Sequence, residues 1–532
     1  MAASPTRDAE LAEGRRLQTA GDFAAAEAIY RRLLAADRAD LEALHLLGVV
    51  SHQRGDHQGA VAAIREVLAA RPDFTPGWQN LVLPLTELGR HDEAIEAGRR
   101  AVDQAPDKPG VRTNLARALI QAGRLAEAAE VVDAALARTP HDPIGLCQAG
   151  HLRLLAEDPA GAETLFATAA AGTPDHVEAH YNRGVALQAL LRDGEAAAAY
   201  RRTLELDPGH RGARLNLGVA LRSQGLVAEA LAVWRAFPDD PKDWAELGYD
   251  IGCAHLLAGD WETAWPFYEQ RLEATRPFVR PPAVAAPKWD GRPLPGATLI
   301  VHHEQGLGDT LHFVRFLPNV LDRVGRIVFV AQPALLALLA SSPLFADPDR
   351  LAVVAEGAPL PPHAAWTPLL SLPGLLGLGR RTLPAAKPWL VAEPDRVARW
   401  AAHPALAAER LRVGLCWQGN PKAPVEKGRS IPLAAFAPLA AVSGVAFVSL
   451  QKGFGRDQTP PEGMSLADLG DDFDAAGGAF LDTAAVVASL DLVITSDTAM
   501  AHVAAALGRP VWLVVKRVPE WRWGLSGERS PW

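Results

Sequence analysis

Cysteine is scarce in this chain: three residues, Cys147, Cys253 and Cys416, are spread over 532 positions. Cysteines so few and so scattered exclude a disulfide framework and a cysteine-rich zinc site, and they fit a reducing compartment. Apolar runs are broken before they reach the roughly 18 residues of a membrane span, so no span is expected. The opening MAASPTRDAE lacks the apolar core of a signal peptide. Together these absences predict a soluble, cytoplasmic protein.

A basic excess is also missing, because 53 Lys and Arg stand against 62 Asp and Glu, for a net charge of −9. Non-specific nucleic-acid binders usually carry a net positive charge, so no nucleic-acid partner is expected. Apolar residues at 49% and charged residues at 22% lie in the ordinary globular range, which excludes wholesale disorder. The length predicts about three to five domains, or a repeat array with one or two domains.

What the first half does contain is a 34-residue period. A turn glycine recurs at this spacing, an alanine follows each phase point by five residues, and a proline closes five successive units. The glycines are Gly21, Gly55, Gly89, Gly123, Gly225 and Gly259, with Glu157 and Leu191 at the other two phases. The alanines are Ala26, Ala60, Ala94, Ala128, Ala162, Ala196, Ala230 and Ala264, and the prolines are Pro72, Pro106, Pro140, Pro174 and Pro208.

Each unit reads as helix, turn, helix: glycine supplies a left-handed cap, alanine allows close helix packing, and proline stops the second helix. A second small position recurs in register, at Gly14, Gly48, Ala116, Gly150, Gly184, Gly218 and Gly252, with Val82 as the exception. The pattern resembles the tetratricopeptide repeat and predicts eight units over residues 7–278. Such arrays stack into a superhelix whose concave face typically holds a peptide or protein.

The position two residues before that small residue is polar in six of seven repeats; its residues are Leu46, Asn80, Asn114, Gln148, Asn182, Asn216 and Asp250. Amides both donate to and accept from a peptide backbone, so Asn80, Asn114, Asn182 and Asn216 are predicted to bind an extended protein acceptor. The row resembles the asparagine ladder of protein O-linked N-acetylglucosamine transferases. The alternative is that these amides serve packing between units.

The second half changes character after a proline-rich linker, 279–296, which is expected to be extended and stiff. Apolar strand-like runs then alternate with helical segments, at 299–301, 326–330, 351–354, 413–417, 445–450, 492–494 and 511–515. This alternation predicts parallel sheets in two Rossmann-like blocks, 297–400 and 408–532. Ligands of such sheets lie at the carboxyl ends of the strands.

Two loops between a strand and a helix carry the candidate chemistry. The first, 302–310, has His302, Gly308 and Asp309 but matches neither a Walker loop nor G-x-G-x-x-G. The second loop, 495–502, contains four further candidate site residues, which are Asp497, Thr498, Ala499 and His502. Free amides at the start of a helix suit a phosphate, although an ordinary strand–helix turn with a capping aspartate would look the same.

Two further loops follow strands of the second block and bring Trp417, Lys422 and Arg429, and then Gln451 and Lys452, toward the same edge. Cations there could neutralise a leaving diphosphate, whereas each one alone could equally be a solvated surface charge.

Together these loops resemble a known family. Gly308-Asp309, Leu311-His312 and Pro318 are similar to the N-terminal loop of lipopolysaccharide heptosyltransferases, and the run from Asp497 to His502, with its Ala-Ala-Leu-Gly-x-Pro tail, is similar to their donor-phosphate loop. With Trp289-Asp290-Gly291 and Trp521-Arg522-Trp523, the whole chain resembles the bacterial tetratricopeptide-repeat glycosyltransferases.

The resemblance implies a GT-B fold of two Rossmann-like domains, with the acceptor on 297–400 and the nucleotide-sugar donor on 408–532. It implies transfer of the sugar to a protein without a metal or cofactor. Asp309 would be the general base, with His302, His303 and Glu304 as alternatives. The donor would contact a larger set, which is Gly308, Trp417, Lys422, Arg429, Gln451, Lys452, Asp497, Thr498, Ala499 and His502.

No metal site is expected, because two Asp-x-Asp sequences match by only two residues each. Ala499 stands where the family usually has glycine, and the chain stops soon after the last strand, which predicts a shortened C-terminal domain. Both features favour an alternative, a scaffold with an inactive transferase domain. Another alternative is transfer to lipopolysaccharide or another glycan.

Overall fold

The computed structural model describes residues 6–108, 110–237, 245–273, 284–385, 387–407, 410–422 and 428–532. The chain divides into two units, Met1–Leu217 and Gly218–Trp532, and the division falls inside a helix rather than at the end of the repeats. Part of the predicted linker, residues 279–283, and the final predicted repeat residues 274–278 lie outside the described residues.

The first unit is built from antiparallel helix pairs, as the 34-residue period predicts. Its helices are α1 (Arg7–Thr19), α2 (Phe23–Ala36), α3 (Leu41–Gln53), α4 (His57–Ala70), α5 (Thr75–Glu87), α6 (His91–Gln104), α7 (Val111–Gln121), α8 (Leu125–Leu136), α9 (Pro143–Leu155), α10 (Pro159–Gly172), α11 (Val177–Ala189) and α12 (Asp193–Leu206). Helix α13 (Arg211–Ser223) contains the division. Helices α14 (Val227–Arg235), α15 (Ala245–Ala258) and α16 (Trp261–Tyr268) continue the pattern in the second unit.

The repeated residues have the roles that the pattern predicts. All six turn glycines have φ between 70° and 87°, the left-handed region that glycine enters at no steric cost. The two phases without glycine keep the same conformation, since φ is 59° at Glu157 and 60° at Leu191. All eight repeated alanines are completely buried. The helical repeat architecture is therefore confirmed.

The second small position of each repeat lies against the residue sixteen places later. A Cβ added to Gly184 would lie 2.5 Å from Cε1 of Tyr200, and one added to Gly218 would lie 2.1 Å from Nε1 of Trp234. The remaining glycines of this kind meet their partners in the same way, Gly14 with Tyr30, Gly48 with Ile64, Gly150 with Phe166 and Gly252 with the main chain of Tyr268. The two exceptions have smaller residues at the second position. Val82 is followed sixteen places later by Gly98, and Ala116 is followed by Val132. A larger first residue is thus matched by a smaller second one.

Two parallel sheets form the rest of the second unit, which confirms the predicted α/β character. The first contains β1 (Leu294–His302), β2 (Val324–Ala331), β3 (Leu351–Ala355) and β4 (Ala365–Pro368) in the order β3-β2-β1-β4. The second contains β5 (Leu411–Cys416), β6 (Val445–Ser449), β7 (Leu466–Ala467), β8 (Leu492–Ser496) and β9 (Val511–Val514) in the order β7-β6-β5-β8-β9. Helices α17 (Leu307–Phe313), α18 (Leu317–Leu321), α19 (Leu336–Ala340), α20 (Leu372–Leu375), α21 (Pro394–Ala401), α22 (Leu481–Ala488) and α23 (Ala499–Ala506) connect the strands.

The start of the first sheet differs from the prediction. Strand β1 begins at Leu294, inside the predicted linker, and the segment before it is already attached to the sheet. Trp289 is 2% exposed, and its main-chain N–H donates to the carbonyl of Trp366 at 2.7 Å. Within the described part of the predicted linker, Pro287 therefore belongs to a segment that is attached to the sheet, since its carbonyl accepts from the N–H of Trp366 at 3.1 Å.

The residues after β9 pack against α16 and α17. The Trp521 ring lies 5.7 Å from Tyr268 and 6.1 Å from Trp265, and the Trp532 ring stacks on Trp261 at 4.6 Å. Burying several large aromatic rings together is strongly favourable. Through these contacts the last helix pair of the repeats shares an apolar core with the α/β part of the same unit.

Candidate active site

Strand order places the predicted loops at the sites where parallel sheets bind ligands. All strands are parallel, and the order in which they are added to the sheet reverses between β1 and β4 in the first sheet and between β5 and β8 in the second. Ligands bind at such switch points, outside the carboxyl ends of the strands. The loop 302–310 follows β1, and the loop 495–502 begins at the end of β8.

Asp309 is held at both oxygens of its carboxylate. Oδ2 accepts a hydrogen bond from the main-chain N–H of Gly306 at 3.0 Å, which caps α17. Oδ1 accepts from Nη2 of Arg522 at 2.5 Å. These two contacts hold the predicted general base in one orientation, and each oxygen keeps a second lone pair that can accept a proton.

Arg522 is a residue of the site to which the sequence assigned no role. It is 8% exposed, pairs with Asp309 and with Glu520 at 3.0 Å, and lies over the rings of Phe313 and Trp521. Burial by itself lowers the pKa of this guanidinium, but the two carboxylates outweigh that effect and keep the pKa above its ordinary value. The Trp521-Arg522-Trp523 run was the available signal, yet nothing in it indicates a partner more than two hundred residues earlier.

The second loop forms the start of α23. The Thr498 hydroxyl accepts from the N–H of Met500 at 3.3 Å and caps the helix. Asp497 pairs through Oδ2 with Nη2 of Arg429 at 3.0 Å, and the same guanidinium donates to the Asp497 carbonyl at 2.6 Å. Arg429, Asp497, Thr498 and Ala499 are therefore brought together, as predicted residues of one subsite.

The two loops meet at Gly308. A Cβ there would lie 3.3 Å from Cα of Ala499 and 3.2 Å from Cδ2 of His502, so a larger residue would require α17 and α23 to move slightly apart. His502 stacks between His312 at 4.8 Å and Trp523 at 5.6 Å. Burial, followed by nearby arginine charges, lowers the pKa of His502 to about 3, so its imidazole is neutral at physiological pH.

Three other predicted donor residues are engaged in structural contacts. Gln451 uses both ends of its amide: Oε1 accepts from Trp417 N–H at 2.9 Å, and Nε2 donates to the carbonyls of Gln418 and Phe454 at 2.8 Å. Trp417 is 1% exposed in the core. Lys452 donates to the carbonyls of Phe473 and Asp474. A new polar contact from Gln451 requires one of its bonds to be exchanged, whereas Lys452 has three N–H donors and uses two of them in these bonds.

Lys422 differs from these three, because it is exposed and borders residues 423–427, which lie outside the described part of the chain. Its recorded bond is from the main-chain N–H to the Asn420 side chain at 3.0 Å. Its role as a donor ligand stays a prediction.

Glu304, an alternative base in the sequence, is instead the centre of a buried ion pair. Its carboxylate accepts from Nε and Nη2 of Arg271 at 3.2 and 2.9 Å and from the N–H of Leu370 at 2.7 Å. Both side chains have no exposed surface. Arg271 also donates to the hydroxyl of Ser371 at 2.9 Å. A carboxylate enclosed in this way holds the end of the repeats against the first sheet and is not available to a substrate.

His302, the second predicted catalytic residue, contacts its neighbour rather than a substrate position. Its Nδ1 lies 2.6 Å from the main-chain oxygen of His303, and the two imidazole rings stack at 4.7 Å. His303 Nε2 lies 3.3 Å from Oε2 of Glu356, and burial lowers the pKa of His303. The sequence missed this group because Glu356 is distant along the chain.

The predicted peptide ladder makes contacts between repeats. Asn114 Nδ2 donates to the carbonyl of Gln79 at 3.2 Å, and Asn216 Nδ2 lies 3.4 Å from the hydroxyl of Tyr181. Asn80 Nδ2 lies 3.0 Å from His45 Nε2. In each case the partner is 35 residues earlier. These bonds match the packing role left open above, and Asn182 occupies the equivalent position in α11. Binding of a peptide by Asn80, Asn114, Asn182 and Asn216 stays a prediction.

Within the described ranges, no helix combines the length and the apolar character that crossing a bilayer demands.

Family comparisons agree with the two kinds of architecture. Residues 11–73, 85–145, 147–190, 177–210 and 194–243 match families described as tetratricopeptide repeat. Residues 478–514 match Glycosyltransferase family 9 (heptosyltransferase). The second match runs from α22 to β9 and contains the loop from Asp497 to His502. The chain therefore carries tetratricopeptide repeats and a glycosyltransferase-like region.

A relative among characterised proteins is Protein FlbA of Caulobacter vibrioides, which is 28% identical over 382 residues. The alignment covers 64% of this chain, and the chain spans 61% of the length of FlbA.

Solved structures with some likeness include the MamA protein, with a TM-score of 0.27, 19% identity, and coverage of 30% of this chain and 88% of that one. A tetratricopeptide repeat protein from Parabacteroides merdae has a TM-score of 0.37 and 14% identity, with coverage of 46% and 96%. The APC/C hetero-tetramer Cut9-Hcn1 has a TM-score of 0.41 and 15% identity, with coverage of 51% and 53%.

Proposed function

We propose that the chain is a glycosyltransferase that moves a sugar from a nucleotide-sugar donor to a protein acceptor held by the repeats, in the cytoplasm. The two parallel sheets would be the Rossmann-like domains of a GT-B fold, with the acceptor on the first and the donor on the second. The transfer uses no metal and no cofactor.

The observation that carries this proposal is the contact between the two switch-point loops. Gly308 touches Ala499 and His502, so the predicted base Asp309 and the predicted phosphate site at Thr498 and Ala499 lie at one junction. A sugar transfer needs both at once, a group that accepts the acceptor proton and a site for the leaving diphosphate. The family 9 match over the second loop supports the same assignment.

In the proposed reaction, the acceptor hydroxyl oxygen attacks the anomeric carbon of the donor sugar while Asp309 takes its proton. The bond from that carbon to the diphosphate oxygen breaks, and the nucleoside diphosphate leaves. Amides at the start of α23 and the Arg429 guanidinium offset the charge that develops on the leaving group.

Donor binding tests the second block. We would titrate the chain with UDP-, GDP-, ADP- and CMP-sugars by isothermal calorimetry, beside Arg429→Gln and the control Arg456→Gln, whose arginine pairs with Asp468 and Asp471 on another loop. We expect one donor to bind saturably and Arg429→Gln to weaken it at least tenfold, with the control unchanged. A folded chain that binds none of the donors would contradict the proposal.

Transfer tests the first block. With the donor identified, we would incubate the chain with a cell extract and detect the added sugar mass on proteins and on lipid-linked glycans by mass spectrometry. We expect protein products, formed roughly 10²-fold more slowly by Asp309→Asn because general-base catalysis contributes about that factor. Asp322→Asn, on an exposed residue, is the control. Products on glycans alone would instead support the glycan acceptor.

A second candidate is the non-catalytic scaffold. It is favoured by Asp309, whose carboxylate is occupied at both oxygens by Gly306 and Arg522. A chain that binds a donor but transfers no sugar above the Asp309→Asn level would support this alternative.

A further inference from the structure

Two histidines and a glutamate form a group on the first sheet that the proposed function does not use. His302, His303 and Glu356 each offer a nitrogen or oxygen atom, and within the described residues these three atoms lie within 4.8 Å of one another. His302 is 8% exposed and the His303 side chain 13%, whereas the Glu356 side chain is 54% exposed. The group is therefore enclosed on the histidine side and open on the carboxylate side.

The main chain fixes the group across three strand ends. The N–H of His303 donates to the carbonyl of Val330, and the N–H of Glu356 donates to the carbonyl of Ala331, both at 2.9 Å. Val330 and Ala331 are consecutive residues of β2, which lies between β1 and β3. Strands two places apart are about 9.6 Å from each other, so the two side chains reach toward one another over the end of β2.

The hydrogen bonding of the histidines prepares them as ligands. A main-chain oxygen can only accept, so Nδ1 of His302 carries the proton toward the His303 carbonyl at 2.6 Å, and the lone pair is left on Nε2. Metal-binding histidines are oriented by a bond of this kind from the other ring nitrogen. Both ring nitrogens of His303 are buried without a well-aligned hydrogen bond in the described structure. Such unsatisfied groups are costly unless a ligand completes them.

The distances fit a small coordination sphere. With bonds of 2.0–2.1 Å, ligand atoms around a tetrahedral ion are about 3.4 Å apart. Nε2 of His303 and Oε2 of Glu356 are 3.3 Å apart. The widest separation in the group, 4.8 Å at most, closes by about 1.4 Å through side-chain rotation at the exposed glutamate or the stacked rings.

We propose that His302, His303 and Glu356 bind one divalent transition-metal ion, with Zn²⁺ as the reference ion and a fourth position open to water. Two imidazoles with one carboxylate are a ligand set that zinc uses in proteins, whereas Ca²⁺ and Mg²⁺ prefer all-oxygen sites. The ion would join the ends of β1 and β3 across β2. This proposal does not depend on glycosyl transfer, and it assigns His302 to metal binding instead of catalysis.

The test uses the full chain without a histidine tag, stripped with a chelator and titrated with Zn²⁺ against a chromophoric competitor. Metal content after dialysis gives the stoichiometry, and Co²⁺ substitution gives the absorption of a four-coordinate site. The variants are His303→Asn and Glu356→Gln. The control is His52→Asn, because His52 and His57 are another close histidine pair, with Nδ1 atoms 3.0 Å apart.

We expect one tightly bound equivalent of Zn²⁺, weakened at least tenfold by either site variant and unchanged in the control. Loss of a ligand costs no less than loss of a group that orients one, which already costs about 10–100-fold. Absence of a stoichiometric site in a chain shown to be folded, or a site that persists in both variants, would overturn the proposal. The contact between His303 and Glu356 would then be a simple polar pair.

Discussion

Arginine ion pairs of different burial can be compared between the two units of this molecule. In residues 1–217, Arg90 pairs with Glu93 and Arg124 with Glu127, three residues later on the surface. In residues 218–532, Arg271 and Arg522 are buried against Glu304 and Asp309. Exposed pairs contribute little because water and salt screen them, whereas a buried charge that loses its partner is strongly destabilising.

The difference indicates where each unit is vulnerable. A repeat array adds up many small contacts between neighbours, so no single surface pair decides its stability. The second unit instead depends on a few enclosed charges, and each connects segments far apart in sequence. The following four experiments test this difference between the two units.

The largest effect is expected from Arg271→Gln. It leaves the Glu304 carboxylate buried without its charged partner, and breaking a buried pair in this way costs about 3–5 kcal/mol. Arg90→Gln, in the exposed pair, should leave the unfolding midpoint unchanged. Hydrogen exchange of peptides from 1–217 and from 218–532 would follow the two units separately.

A double variant checks the cause of that loss. Arg271→Met with Glu304→Leu removes both charges and should restore much of the stability, since apolar residues of similar size often replace a buried pair well. Equal protection in Arg271→Gln and the parent chain would remove the contrast between the two units.

Acid should weaken the second unit through His502. The unfolded imidazole takes up a proton below its ordinary pKa of 6.5, whereas burial keeps the folded pKa at about 3. This stability is present above pH 6.5 and is lost as the pH falls toward 3, by about 2 kcal/mol between pH 7 and pH 5. His502→Gln should flatten the dependence in residues 218–532. An unchanged slope in denaturant titrations across this pH range would show that His502 is not the group responsible.

A methyl group added at a tightly packed glycine should destabilise both units, but a second substitution should restore stability only in the first. Gly184→Ala puts a methyl group 2.5 Å from Cε1 of Tyr200, and overpacking of this kind costs about 1–3 kcal/mol. Adding Tyr200→Val should recover much of it, because Ala116 and Val132 already form such a pair. At Gly252 the obstacle is the main-chain nitrogen of Tyr268 at 2.6 Å, so no side-chain change should rescue Gly252→Ala. Thermal melts of Gly184→Ala, Gly184→Ala with Tyr200→Val, and Gly252→Ala would measure these outcomes.

The smallest expected effect is an increase in the stability of the repeats. Leu191 adopts φ of 60° and is 56% exposed, so Leu191→Gly relieves backbone strain and loses little packing. We expect the repeats to become more stable by about 0.5–1 kcal/mol. The reverse change in the second unit, Gly225→Leu at φ of 82°, should destabilise by a similar amount. Chemical denaturation measures both, and a loss at Leu191→Gly would mean that its side chain packs better than its exposure suggests.

The repeats could be predicted in detail from the sequence because their contacts are local and periodic. Spacing alone gave the turn glycines, the buried alanines and the helix pairs. The Val82 exception could not be interpreted, because its explanation is the partner position occupied by Gly98 in the next helix. The parallel sheets were also predictable, except for the strands β4 and β7, which are too short to produce a recognisable apolar run.

For the candidate site, the sequence predicts which loops follow the strands, but not which distant residues those loops contact. Asp309 and the run from Asp497 to Ala499 lie at switch points because any parallel sheet directs its loops there. The partners Arg522, Arg271 and Glu356 could not be found, since nothing local in the sequence records which distant charges become neighbours. Gln451 and Lys452 were assigned to a donor because their loop follows a strand of the second block, and the main-chain carbonyls to which they donate depend on turns that the sequence does not specify.

The matching of sizes sixteen residues apart has a consequence for how such a gene can change. Each repeat contains both residues of this pair, so duplication, deletion or movement of a whole repeat keeps the pair matched. A crossover at the turn inside the third repeat would join Val82 to the second helix of a neighbour and place Ile64 or Val132 at the position that Gly98 occupies. Recombination that survives selection should therefore have its breakpoints between repeats rather than within them.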